Sequence, residues 1–131
     1  MKKILIVDDC EAVRAAVRFR LESEDGLQVC GEAVDGTDAI EKAKLLQPDL
    51  ILLDLNMPKM NGAAAESILK KLHPQVPIIL FTLYEDAVET LAPVIGVDVV
   101  LSKPAGLSHL VERVQGLLES RPARAPEPTK S

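Results

Sequence analysis

Three stretches of the chain are apolar without interruption: Ile4 to Val7, Leu50 to Leu53 and Ile78 to Phe81. Runs this short and this rich in Ile, Leu and Val fit strands buried on both faces, which have no polar side to show. Two further stretches are less uniform. Leu27 to Glu32 alternates, with Leu27, Val29 and Gly31 on one side and Gln28, Cys30 and Glu32 on the other, and Val97 to Ser102 carries Asp98. Both predict edge strands.

Between the strands the apolar period lengthens to that of a helix, at Val13, Ala16, Val17 and Leu21, then Ile40, Ala43 and Leu46, then Ala65, Ile68, Leu69 and Leu72. The last stretch, Leu107, Leu110, Val111, Val114, Leu117 and Leu118, forms one stripe able to lie against a sheet. Strand and helix thus alternate, which predicts an α/β fold with a doubly wound five-stranded parallel sheet, because parallel strands need right-handed crossovers that cover both faces. With the second and fifth strands at the edges the order is 2-1-3-4-5, of the flavodoxin type, and it reverses between strands one and three. A candidate helix from Glu85 to Ile95 contains Pro93, which lacks an N–H and crowds the Glu89 carbonyl, so it is expected to be short or kinked and stopped by Gly96. Residues 1–120 are expected to form one domain, and 121–131, with three prolines and no apolar period, a disordered tail.

The 131 residues are 47% hydrophobic, enough for a single core. A net charge of −5 argues against direct nucleic-acid binding and against anionic membranes, where phosphate repulsion would have to be overcome. The first apolar run ends at Asp8, short of the roughly 7 to 15 residues of an export signal, and no run approaches the roughly 18 needed to cross a bilayer. A soluble, cytoplasmic protein is expected. Cys10 and Cys30 have neither C-x-x-C spacing nor a neighbouring zinc set, which predicts free thiols.

A doubly wound sheet binds its ligand outside the carboxyl ends of the strands where the order reverses. Asp8 and Asp9 follow strand one there and Asp54 follows strand three, with Thr82 after strand four and Lys103 after strand five. Taken singly, Asp8 and Asp9 read as a solvated turn and Thr82 as a β-branched strand residue. As a set they point to chemistry. Clustered carboxylates repel and call for a counter-charge; Lys103 supplies part, and a hard divalent cation such as Mg²⁺, which takes one or two carboxylates and keeps several waters, suits the rest. Asp54 is then a candidate nucleophile toward phosphorus, with Lys103 and the Thr82 hydroxyl directed at the transferred oxygens. Pro58 and Gly62 are expected to serve the backbone. His73 and His109 are expected at the surface, and Phe19 exposed.

The segments Ile-Leu-Ile-Val-Asp8-Asp9, Asp54-Leu-Asn56-Met-Pro58-Lys-Met-Asn-Gly62, Thr82 and Lys103-Pro104, in this order, resemble the receiver domain of two-component response regulators. The stretch from Val29 through Gly62 is most similar to receivers that precede a helix-turn-helix DNA-binding domain. This resemblance implies phosphotransfer from a sensor histidine kinase or phosphotransfer protein onto Asp54, with Asp9, Asp54 and the backbone carbonyl of Asn56 as Mg²⁺ ligands and Asp8 assisting. It implies that Thr82 and Lys103 contact the phosphoryl group, that the change is relayed to a downstream protein, and that turnover is at most slow autodephosphorylation. The family's geometry also implies a cis Lys103–Pro104 bond. Two departures stand out: Val100 replaces the usual Tyr or Phe, so signalling by a rotating ring is expected to be muted, and Leu83 is larger than the usual Ala or Gly. Two other readings compete. One is a pseudo-receiver that binds partners without phosphorylation; the other is a metal-dependent phosphatase, resembled only locally at Asp54-x-Asn56.

Overall fold

The computed structural model describes residues 1–54, 62–82 and 99–120. Five strands, β1 (Lys2–Val7), β2 (Leu27–Ala33), β3 (Leu50–Asp54), β4 (Ile78–Thr82) and β5 (Val99–Ser102), pair in parallel in the order β2-β1-β3-β4-β5. The helices are α1 (Glu11–Glu22), α2 (Gly36–Leu46), α3 (Gly62–Leu72) and α4 (Lys103–Ser120). The uninterrupted apolar runs are the central strands and the two less regular ones the edges, as the pattern requires.

Alternate side chains of the central strands enter two separate cores. Leu5, Val7, Ile51, Leu53, Ile78 and Leu80 pack with Ala39 and Ala43 of α2 and Ala65 and Leu69 of α3. Ile4, Ile6, Leu50, Leu52 and Ile79 pack with Val17 and Leu21 of α1 and Leu110, Val111 and Val114 of α4. This two-sided burial explains why Ile4 to Val7, Leu50 to Leu53 and Ile78 to Leu80 carry no polar position. Asp35 caps α2, its carboxylate accepting from the Asp38 amide at 2.8 Å while Asp38 accepts from the Val34 amide at 3.1 Å, a reciprocal cap.

Along β2 the structure departs from the sequence pattern. The register jumps between Ile4 and Leu5, which face Val29 and Gly31, so Cys30 is an extra residue in the strand. Such a bulge resets the side-to-side alternation. Val29 packs on the α1 side, whereas Cys30 and Ala33 pack on the α2 side. Glu32 consequently turns toward α1, the side opposite to the one its parity with Gln28 and Cys30 predicts.

Other expectations are also corrected. No cis peptide bond occurs among the described residues; Pro104 lies in the first turn of α4, where a fixed φ suits the helix and a missing N–H costs nothing. His73, expected at the surface, is half-buried directly after α3, its amide donating to the Leu69 carbonyl. Within α3, Leu72 is exposed while Glu66 is only 2% exposed. No helix among the described residues is long and apolar enough to cross a membrane. The expected helix over 85–95, Asn56, Pro58, Leu83 and the tail over 121–131 lie outside the described residues.

Candidate functional site

β1 and β3 are neighbours with Val7 opposite Leu53, so the residues that follow them emerge together at the carboxyl edge of the sheet. Asp8, Asp9 and Asp54 converge there, one carboxylate oxygen of each lying within 4.8 Å of the others. Asp8 and Asp54 are 3% and 4% exposed, whereas Asp9 is open to solvent. The backbone brings Thr82 and Lys103 to the same rim: Asp54 stands opposite Phe81, Thr82 ends β4 opposite Ser102, and Lys103 follows directly.

Asp8 is held through its amide, its carboxylate and its carbonyl. Its amide donates to the Ala33 carbonyl at 3.0 Å, which keeps it in line with the sheet. One carboxylate oxygen, Oδ1, accepts the Cys10 amide at 2.9 Å, closing the turn into α1. Its carbonyl accepts Nη1 of Arg14 at 2.7 Å. Arg14 in turn donates through Nε to Glu32 Oε1 at 2.8 Å, and Arg18 Nη1 donates to Glu32 Oε2 at 2.6 Å.

These contacts tune the charges. The hydrogen bond from Arg18, and next that from Arg14, hold the Glu32 carboxyl below its usual range against the opposing effect of burial. The Arg18 guanidinium is raised, chiefly by its bond to Glu32. Burial pushes the Cys30 thiol up, which makes it a poor nucleophile. Both cysteines are free.

Close carboxylates in a partly buried site favour a cation that takes hard oxygen ligands. Among the described residues the donors are the carboxylate oxygens of Asp8, Asp9 and Asp54, two of these residues are buried and Asp9 is open to solvent, so they fit Mg²⁺. Sequence reasoning found this cluster and missed the pair Arg14 and Glu32 behind it. Arg14 and Arg18, spaced i and i+4 on α1, were a usable signal. The phase of β2 concealed their common partner.

Residues 4–115 match the model of the response regulator receiver domain. The chain is 37% identical over 126 residues to the response regulator protein VraR of Staphylococcus epidermidis, a match that covers 95% of this chain and 60% of that protein. The chain thus spans about three fifths of that relative's length. The response regulator domain of Thermotoga maritima CheB superimposes with a TM-score of 0.83 at 28% identity, covering 93% of this chain and 99% of that one. The Thermotoga maritima response regulator TrrA, solved in complex with Mg(2+)-BeF, superimposes with a TM-score of 0.80 at 29% identity, covering 89% and 99%.

Proposed function

Because this chain belongs to the response regulator receiver domain family, we propose that it is a signalling switch that accepts a phosphoryl group on Asp54. The observation that carries the reading is the convergence of Asp8, Asp9 and Asp54 within 4.8 Å at the reversal of strand order. Supporting it, TrrA has the same fold and was solved with Mg(2+)-BeF.

In this reading Asp9, Asp54 and the Asn56 carbonyl hold Mg²⁺, with Asp8 beside them. Bound there, the cation supplies positive charge to the oxygens of the transferred group and to the attacking carboxylate. The Asp54 carboxylate oxygen attacks phosphorus; a P–O bond forms, the bond to the donor breaks, and the leaving group departs with the electron pair. Where the donor is a phosphohistidine of a sensor kinase or phosphotransfer protein, the leaving group is the imidazole. Thr82 donates its hydroxyl to one phosphoryl oxygen and Lys103 its ammonium to another. The burial of Asp54 slows the entry of water, which favours a stable acyl phosphate over rapid turnover.

The unit that switches is residues 1–120, in the cytoplasm, acting on a downstream protein rather than on nucleic acid or membrane. Incubation with acetyl phosphate and Mg²⁺, followed by intact-mass measurement, tests the reading. One phosphoryl group should be added, and Asp54→Asn or chelation of the cation should abolish the addition. Many turnovers of the donor would instead identify a phosphatase, and no addition a pseudo-receiver.

A further inference from the structure

Arg14 touches the site from behind. Its guanidinium bridges two acceptors that belong to different elements, the Asp8 carbonyl at 2.7 Å and Glu32 Oε1 at 2.8 Å. Glu32 is a fixed anchor: it stands opposite Ile6 in the sheet, its second carboxylate oxygen is taken by Arg18 at 2.6 Å, and its own carbonyl accepts Lys42 Nζ at 2.5 Å. The other end of the bridge lies on the peptide between Asp8 and Asp9, the two acidic residues of the turn.

Building on the functional reading above, we infer that Arg14 is a positioning residue, tying the Asp8–Asp9 turn to β2 and so presenting the two carboxylates to a divalent cation in fixed geometry. The planar guanidinium fork suits this task, because it satisfies two acceptors at a set angle and stays charged at any working pH. Partners behind the ligands orient them and are needed for affinity.

Charge alone predicts the opposite effect. A guanidinium close to a cation site repels the cation, so deleting it should tighten binding if electrostatics were all it contributed. Glu32 offsets that charge at contact distance, which leaves the hydrogen-bonding role exposed to measurement.

Titration calorimetry of the full chain with Mg²⁺ alone, without phosphodonor, decides between the two. Arg14→Ala should weaken Mg²⁺ binding by about tenfold, and Arg14→Lys, which can hold one acceptor at a time, should recover part of the loss. Arg20→Ala serves as the control, since Arg20 lies on the same helix, pairs with Glu24 and makes no bond to Asp8 or Glu32 among those described; its Mg²⁺ affinity should equal that of wild type even where its urea midpoint falls. Should Arg14→Ala fail to fold, Arg14→Met, which keeps the aliphatic stem, is judged by the same criterion. Unchanged or tighter binding by the Arg14 variant, with the wild type binding normally, overturns this inference and leaves the functional reading standing. A wild-type chain that takes no Mg²⁺ overturns both.

Discussion

Asp8 and Cys10 are joined by a bond from the Cys10 amide to the Asp8 carboxylate, 2.9 Å long, so one side chain both closes a turn and faces the acidic cluster. The two roles separate by mutation. Asp8→Asn keeps an oxygen for the Cys10 amide and loses the charge; Asp8→Ala loses both. Mg²⁺ at a hundred times its dissociation constant should stabilise wild type by about 2.7 kcal/mol. Asp8→Asn should lose most of that response, while Asp8→Ala should in addition be about 1–3 kcal/mol less stable without metal. Urea unfolding with and without Mg²⁺ measures both effects, and equal metal responses in wild type and Asp8→Asn would refute the assignment.

The Glu32 cluster predicts a pH dependence. Hydrogen bonds from Arg18 and Arg14 depress the carboxyl in the folded state, so folding favours its ionised form. That contribution is complete above the ordinary value of 4.5 and is lost as pH falls through the lower folded value. Glu32→Gln should therefore cost stability at pH 7 and little in strong acid. Urea midpoints of the two proteins should begin to converge as pH falls below 4.5, and a constant difference across the range would show that the ion pairs are not its source.

Packing predicts a contrast between two leucines. Leu69 of α3 is 0% exposed in the core against β3 and β4, whereas Leu45 of α2 is 79% exposed. Leu69→Ala should cost about 2–5 kcal/mol, and Leu45→Ala should stay within about 0.5 kcal/mol of wild type. Comparable losses in urea unfolding would show Leu45 to be buried in the folded protein and contradict its exposure here.

Much of this was legible in the residues themselves. Ile4 to Val7 and Leu50 to Leu53 read as central strands because burial on both faces removes every polar position, and the carboxylates that end those runs stand out for the same reason. What escaped was phase and context. Nothing in the alternation from Leu27 to Glu32 marks Cys30 as an extra residue, since both parities hold acceptable side chains, so the partners of Glu32 went unseen. The helical period likewise counted Leu72 as apolar face and passed over Glu66, because burial depends on which end of a helix the sheet covers. The resemblance implied a cis bond before Pro104, yet a trans proline in the first turn of a helix is well accommodated.

The extra residue in β2 also sets what the strand can lose. Deleting one residue from a strand normally turns every later side chain onto the wrong face. Here Val29 and Gly31 already stand opposite the consecutive residues Ile4 and Leu5, and Glu32 and Ala33 opposite Ile6 and Val7. A chain lacking only Cys30 would run straight through with Val29 and Glu32 still facing α1 and Ala33 still facing α2. Deleting Gln28 instead would reverse Leu27 and empty its place in the core, or shift the whole register. The protein should therefore fold with a cooperative urea transition after loss of Cys30 and be markedly weakened by loss of Gln28. That makes a central position of an edge strand the point at which this sequence best tolerates becoming one residue shorter.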